Sequence, residues 1–235
     1  MENLAKQVKI LKIYAIVLTV IVLAFIGYTL SLNGGHYKEL TAERINIVEK
    51  TGKVRMVISN KESQHPGRMD DKDLPKRERP AGMIFFNDEG DEDGGLVYDG
   101  DKNGASMTYS FDQYKNDQIM QLQYEQENGK GNMLRSYGLK LWERKDEFTL
   151  SKQLSYFDSL EKLKADTAAY NNGVKKFKAA GYTHQRLFVG KNTKGEVGLF
   201  LNDASGKPRL NIYINQQNQP VIETLDESGR VVSSK

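Results

Sequence analysis

The most constraining feature of this sequence is an uncharged apolar run over residues 13–32. A helix of twenty residues is about 30 Å long, which matches the hydrocarbon thickness of a bilayer. Tyr14 and Tyr28 lie near its ends, where amphipathic rings favour the headgroup boundary. No Ala-x-Ala cleavage pattern follows the run, so we expect a retained transmembrane helix rather than a cleaved signal peptide.

Basic residues precede this helix and predict its orientation. Lys6, Lys9 and Lys12 lie on the N-terminal side, whereas Lys38 and Arg44 follow at the other end. The modest excess of cations at the N-terminus favours a cytoplasmic tail over residues 1–12 and an extracytoplasmic location for the rest. We therefore expect a single-pass membrane protein that contacts the lipid bilayer through residues 13–32.

The composition of the remaining chain predicts a folded, non-nucleic-acid-binding protein. The 34 basic and 31 acidic residues nearly balance, which argues against a dedicated nucleic-acid surface. Aromatic residues make up 9% of the chain, and apolar residues alternate regularly, so disorder is also disfavoured. There is no cysteine, so neither disulfides nor a lipid-modified cysteine is available.

Alternating apolar residues predict a first β lobe over residues 44–148. Its first two strands flank Gly52, and its last two flank a turn containing Asn128, Gly129 and Gly131. A long polar loop over residues 60–81 interrupts the lobe and contains three prolines. We expect this loop to be mobile rather than functional, and to contact a protein partner if it is functional.

The C-terminal residues 184–235 predict a second β lobe. Turn residues at positions 195, 206, 218 and 229 recur every eleven or twelve residues, a spacing typical of an antiparallel meander. The segments Gly-Lys-Val-Arg-Met from residue 52 and Gly-Lys-Pro-Arg-Leu from residue 206 are alike. Internal duplication and shared turn chemistry are both open as explanations.

One soluble helix over residues 152–181 separates the lobes in this prediction. Apolar residues recur at steps of three and four and form one stripe, which we expect to pack on a sheet: Leu154, Phe157, Leu160, Leu163, Thr167, Tyr170, Val174 and Phe177. Gly181 is placed to end the helix, and residues 171–173 are a possible break within it. The predicted fold is therefore mainly β, with a transmembrane helix and two antiparallel β-meander lobes separated by one helix.

A weak calcium motif lies between two of the predicted strands. Asp99, Asp101 and Asn103 alternate and are followed by Gly104, as in the first half of a calcium-binding loop. The twelfth position is Ser110 instead of glutamate, so the EF-hand interpretation fails. We expect solvated turns here, with a Ca²⁺ site at Asp99, Asp101 and Asn103 as the alternative.

The sequence contains no catalytic or cofactor-binding signature. Three scattered histidines lack metal-ligand spacing: His36, His65 and His184. Nucleophile-elbow and phosphate-loop motifs are absent. A pair of carboxylates for glycan hydrolysis could still come from an acidic cluster over residues 88–93, whose members are Asp88, Glu89, Asp91, Glu92 and Asp93.

Three stretches behind the apolar run carry a resemblance. They are Arg-Ile-Asn-Ile-Val-Glu from residue 44, Met-Val-Ile-Ser-Asn from residue 56 and Gly-Met-Ile-Phe-Phe-Asn-Asp-Glu-Gly-Asp-Glu from residue 82. Over residues 1–145 the chain resembles a group of bacterial single-pass membrane proteins without an assigned activity. The resemblance implies a bacterial source and an anchored β domain, and it assigns no catalytic residues.

Together these observations favour a membrane-anchored, non-enzymatic binding or scaffolding module of the cell envelope. Its contact surfaces would be the sheet edges and the loop over residues 60–81, and its partner an envelope protein. The alternatives are an envelope hydrolase that uses the acidic cluster, and a calcium-dependent adhesion or stabilisation module.

Overall fold

The computed structural model describes residues 2–31, 37–129 and 133–234. The chain divides into two units, residues 1–42 and 43–235. Four predicted positions lie outside the described residues: the last residue of the apolar run, Leu32, together with His36, Gly131 and Lys235.

The first unit contains one helix, α1 (Glu2–Ser31). It begins before the predicted span, so the basic residues of the N-terminal tail belong to the same helix. By length and composition it could cross a bilayer, although an N-terminal signal sequence would satisfy the same criteria. Its described side chains are exposed, as expected for a helix whose apolar residues surround the whole axis.

The second unit is built on one twelve-stranded antiparallel sheet and a separate two-stranded hairpin. The strands are β1 (Arg44–Val48), β2 (Val54–Ser59), β3 (Arg68–Met69), β4 (Lys72–Asp73), β5 (Ala81–Phe86), β6 (Glu92–Asp101), β7 (Gly104–Asp112), β8 (Gln118–Asn128), β9 (Met133–Arg144), β10 (Thr183–Lys191), β11 (Val197–Asn202), β12 (Pro208–Ile214), β13 (Pro220–Leu225) and β14 (Val231–Ser234). Strands β3 and β4 form the small hairpin, and the others follow chain order across the large sheet. The fold is therefore mainly β and antiparallel, as the sequence predicts.

The two predicted lobes are one continuous sheet. Strand β9 ends the first lobe and β10 begins the second, and the two pair from Thr183 opposite Arg144 to Lys191 opposite Tyr137. The intervening helices therefore leave the sheet and return to it without interrupting the order of its strands.

The same five-residue turn closes six of the hairpins. In each turn the N–H of the first residue donates to the carbonyl of the fifth residue, and the N–H of the fourth donates to the carbonyl of the first. The six turns are residues 49–53, 87–91, 192–196, 203–207, 215–219 and 226–230. The fourth residue is glycine or Asn218, with φ between 60° and 92°. The predicted turn positions 195, 206, 218 and 229 are confirmed. Gly52 and Gly206 occupy the same position of this turn, as shared turn chemistry predicts, and internal duplication stays open as an explanation.

Two helices replace the single helix predicted over residues 152–181. They are α2 (Leu150–Glu161) and α3 (Thr167–Ala180), and Gly181 ends α3 with φ 62°. The break falls before α3, where the Asp166 side chain accepts the Ala169 N–H at 3.0 Å and starts a new helix. The break suggested at residues 171–173 is wrong, because Gly173 lies inside α3.

The apolar stripe of these helices therefore folds back on itself. Leu160 of α2 is buried and lies against Gly173 of α3, where any side chain would collide with it. The Tyr156 hydroxyl donates to the Gly173 carbonyl at 2.9 Å, while Leu163 is exposed. Phe148 and Tyr182 stack at 3.7 Å beside Phe177 and close the base of the helical pair.

The core lies on one face of the sheet beneath the segment over residues 60–81. Val57, Ile84 and Phe86 form its buried centre. From the covering segment, Met69 is 4% exposed and His65 packs edge-on to Phe86 at 4.7 Å. The segment predicted to be a mobile loop thus contains the β3–β4 hairpin and covers the core, because its few apolar side chains point inward.

The repeated turn predicts the effect of replacing Gly195, whose φ is 82°. Gly195→Ala should lower the free energy of unfolding by about 1 kcal/mol, or the melting temperature by about 2–4 °C, because a Cβ disfavours this conformation. Gly195→Asn should cost less, since Asn218 adopts the same conformation in this chain. Fluorescence melting of Trp142 in the detergent-solubilised chain measures both, and equal losses would contradict the conformational explanation.

Candidate functional site

The structure places a cation beside four of the five carboxylates in the acidic cluster. Asp88 lies 2.6 Å from Arg55, and Glu92 pairs with both terminal nitrogens of Arg79 at 2.7 and 2.8 Å. Glu89 and Asp91 both contact Lys115, as described next, while Asp93 is exposed. Four of the five carboxylates predicted for hydrolysis are therefore held by cations at the hairpin ends.

Lys115 is the centre of a group that we call the Lys115 cluster: Lys115, Asp70, Glu89, Asp91 and Ser151. Its ammonium lies 2.6 Å from Asp91 Oδ2, 2.9 Å from Glu89 and 3.1 Å from Asp70. Asp91 is 1% exposed, and its other oxygen accepts the Asp70 N–H at 2.7 Å. Ser151 donates its hydroxyl to Asp70, which connects the cluster to α2.

The Lys115 cluster coincides with strained backbone. Asp70 and Asp71 have φ of 51° and 58° in the two-residue turn between β3 and β4, and Lys115 has φ of 57°. Side chains with a Cβ rarely adopt this conformation, and it persists where surrounding contacts fix it. Here Asp91 contacts both strained partners, through the Asp70 N–H and the Lys115 ammonium.

The charges of this cluster oppose catalysis by its members. Hydrogen bonds to Asp91 and Glu89 raise the pKa of Lys115, so its amine stays protonated and is a poor nucleophile or base. Hydrogen bonds from Ser151 and Lys115 lower the pKa of Asp70, and those from Lys115 and Tyr114 lower the pKa of Glu89. Both carboxyls are therefore ionised and cannot act as general acids near neutral pH.

The turn that carries Lys115 also attaches the helical pair. The Leu150 N–H, at the start of α2, donates to the Lys115 carbonyl at 3.0 Å. Asn116 is buried, and its side-chain amide donates to the Phe148 carbonyl at 3.2 Å. The cluster thus joins the 60–81 segment, two hairpin turns and α2 at one end of the sheet.

Asp112 has an unusual environment that the sequence does not reveal. Its Oδ1 is shielded from solvent and lacks a hydrogen-bond partner among the described residues. Burial, followed by the nearby charges of Glu92 and Asp117, raises the pKa of Asp112 to about 8. A carboxylic acid protonated at neutral pH can donate a proton, but Asp112 lines neither of the two clefts described below.

The predicted calcium ligands lie at the tip of the β6–β7 hairpin. The Asp101 carboxylate accepts the Asn103 backbone N–H at 2.7 Å and its side-chain amide at 3.0 Å. Asp99 lies 3.2 Å from Lys61, whose hydrogen bond lowers the pKa of Asp99. Throughout the described residues, no three histidine, aspartate or glutamate side chains are grouped to hold a metal ion. Calcium binding stays a prediction.

A cleft of about 650 Å³ lies at this end of the sheet. It is lined by Lys61, the β6–β7 hairpin tip and the neighbouring strands β8 and β9. Asp99, Ser106, Glu125 and Ser136 form one cross-strand row within it. A second, more open cleft of about 460 Å³ lies beside Ser151 and Tyr156.

The predicted histidine positions do not converge. His65 is buried in the core segment, and burial lowers its pKa. His184 lies on β10 near Gly181 and Gly206. Neither has the environment of a paired metal ligand among the described residues.

One face of the twelve-stranded sheet forms a further surface feature. Residues directly opposite each other in an antiparallel pair lie on the same face. Following the pairs gives one row across eleven strands: Ile45, Ile58, Met83, Leu96, Tyr109, Leu122, Leu139, Val189, Leu199, Ile212 and Ile222. Each member is apolar or aromatic.

Flanking rows on the same face are almost as apolar. One contains Ile47, Met56, Phe85, Gly94, Phe111, Met120, Leu141, Leu187, Leu201, Leu210 and Thr224. The other contains Ala81, Tyr98, Met107, Tyr124, Tyr137, Lys191, Val197, Ile214 and Pro220. We call these three rows the apolar face.

The side chains of the apolar face are accessible. Leu122 is 58% exposed and Ile222 is 47% exposed, and no large side chain of the three rows is buried. The opposite face differs: its central row includes Thr108, Gln123, Gly138 and Gly190. Strand alternation therefore separates the apolar face from a face whose central strands β7–β9 carry polar side chains such as Ser110, Gln121 and Lys140.

No known protein family, curated relative or solved structure matches this chain. The arrangement of its own residues is therefore the basis for assigning a site. Sequence reasoning identified alternating strands but missed the apolar face, which appears when the alternate positions of successive strands are aligned. It also missed Lys115 and Asp112, whose surroundings come from distant segments.

The buried Asp91 predicts that Lys115 is needed for stability. Lys115→Ala should lower the free energy of unfolding by about 3 kcal/mol, because it leaves a buried carboxylate without its cation. Lys115→Gly should lose about 1 kcal/mol less, since glycine relieves the positive φ. Adding Asp91→Asn to Lys115→Ala should restore part of the lost free energy of unfolding. If thermal melting shows that the losses of the two single variants simply add, the proposed coupling between Lys115 and Asp91 is wrong.

Asp112 predicts a pH dependence of stability. Between about pH 4 and 8 the unfolded state loses this proton while the folded state keeps it, so stability falls as pH rises through that interval. Asp112→Asn should raise the free energy of unfolding at pH 8 by about 2 kcal/mol and change it little at pH 4. Melting across this range measures the effect, with Asp158→Asn on the exposed side of α2 as the control. Parallel profiles for the wild type and Asp112→Asn would refute it.

Proposed function

We propose that this protein is a membrane-anchored, non-enzymatic binding or scaffolding module of the bacterial cell envelope. In this proposal, α1 anchors the chain in the bilayer and the apolar face of the sheet binds a protein. The observation that carries the proposal is the exposed, continuous apolar face across eleven strands.

The extent of the apolar face supports binding. Monomeric soluble proteins rarely expose contiguous apolar patches larger than a few hundred Å², and larger patches mark interaction sites. Eleven strands at about 4.8 Å spacing and three rows at about 6.8 Å spacing cover about 1,000 Å². A face of this size would favour aggregation unless a partner covers it.

The sequence supports the anchored location. The apolar α1 is long enough to span a bilayer, and its basic N-terminal residues favour a cytoplasmic N-terminus. The sheet would then lie outside the cytoplasm. The resemblance to bacterial single-pass membrane proteins agrees with this assignment.

The alternatives have less support among the described residues. A hydrolase would need carboxylates free to transfer protons, whereas cations hold Glu89, Asp91 and Glu92. A calcium module would need free oxygens, whereas Asp101 accepts two hydrogen bonds from its own turn. Both stay hypotheses behind the binding module.

Site-specific photo-crosslinking in intact cells tests the proposal. A photoreactive phenylalanine analogue at Leu122 of the full chain should form a protein adduct, because this side chain points out of the apolar face. The same analogue at Gln123, on the opposite face of the same strand, should not. Equal adducts at both positions, or none at Leu122, would contradict binding through the apolar face.

A further inference from the structure

We infer that the occupant of the apolar face is a second copy of this chain, packed sheet against sheet. The inference rests on the proposed function and names its partner. It follows from the area of the face, its chemistry and its regular, repeating rows.

The area of the apolar face suits a stable dimer. A standard protein interface buries about 800 Å² on each partner, and the face offers about 1,000 Å². Obligate homodimers have the most apolar interfaces, similar to a domain core divided in two. Only one charged residue, Lys191, lies in the three rows, and it belongs to a flanking row rather than the central one.

A partner cannot bind the apolar face through backbone hydrogen bonds. The inner strands already pair on both sides, so an extended peptide could add only at an edge of the sheet. Recognition of the face itself must come from side-chain packing. The partner therefore needs an apolar surface of comparable width, and this chain carries one.

The geometry of the face also favours self-association. Two sheets pack about 10 Å apart with their strands within about 30° of each other, an angle that arises from the twist of each sheet. Identical sheets have identical twist, and a two-fold axis would place the same rows of both copies in contact. The product is a two-layered sandwich, the usual way to bury one face of a sheet.

A lipid surface is a weaker candidate for this face. Surfaces that lie on anionic membranes combine apolar residues with several lysines or arginines. The apolar face contains only Lys191, on a flanking row. Its width and its single basic residue favour a protein surface of comparable width.

The test uses two full-length copies with different affinity tags, expressed together in the same cells. With the photoreactive analogue at Leu122, the expected adduct contains both tags and has twice the 26.6 kDa mass of the chain. An adduct containing one tag and a different protein would overturn the inference but keep the proposed function. No protein adduct at all, including a product with lipid only, would overturn both.

A matched pair of substitutions gives a second measurement. Leu122→Lys should reduce the yield of the two-tag product, formed through the analogue at Ile222, by more than about tenfold, because it places an unpaired ammonium in the interface. Leu122 is exposed in the single chain, so the substitution should leave the melting of the dilute, monomeric chain unchanged, while removing any stabilisation that depends on protein concentration. Gln123→Lys on the other face should keep the yield, and equal yields from both variants would refute the sheet-on-sheet contact.

Discussion

The ladder of hydrogen bonds between neighbouring strands is the constraint on which the second unit depends. Each strand of the large sheet pairs only with the strands before and after it, and the same turn closes six of the hairpins. In such a meander the backbone N–H and C=O groups of the inner strands are paired by the neighbouring strands of the sheet. The meander leaves both faces of the sheet to be covered by something else, because a ladder by itself buries no side chains.

The Lys115 cluster shows how one end of this sheet acquires tertiary structure. The turn over residues 113–117 has the hydrogen bonds of the repeated turn, but its positive φ falls on Lys115, one residue earlier than the usual glycine. That change brings an ammonium to the buried Asp91 and presents a carbonyl to the first residue of α2. A repeating element is thus modified at one position to join three segments. Its strain is offset by ion pairs, one of which involves the buried Asp91.

Sequence patterns predicted local structure well because strand alternation, turn residues and helix caps act within a few residues. The turns at 195, 206, 218 and 229 and the end of α3 at Gly181 belong to this class. The break between α2 and α3 was misplaced because Asn171, Asn172 and Gly173 resemble a break, whereas the Asp166 cap and the contact between Leu160 and Gly173 decide the outcome. The segment over residues 60–81 was misjudged because its anchors, His65 and Met69, are too sparse to form a periodic pattern.

The same reasoning explains why the apolar face was not predicted from the sequence. A strand with one apolar face is expected to bury it, so alternation alone predicted a core rather than a surface. In the structure, the covering segment over residues 60–81 lies on the opposite face, over Val57, Ile84 and Phe86. The chain thus covers one end of its more polar face, and the described residues contain no segment that buries the apolar one. Since water is a poor solvent for apolar side chains, a face of that width would favour aggregation unless it is covered, which is the physical reason for proposing a partner surface of the same kind.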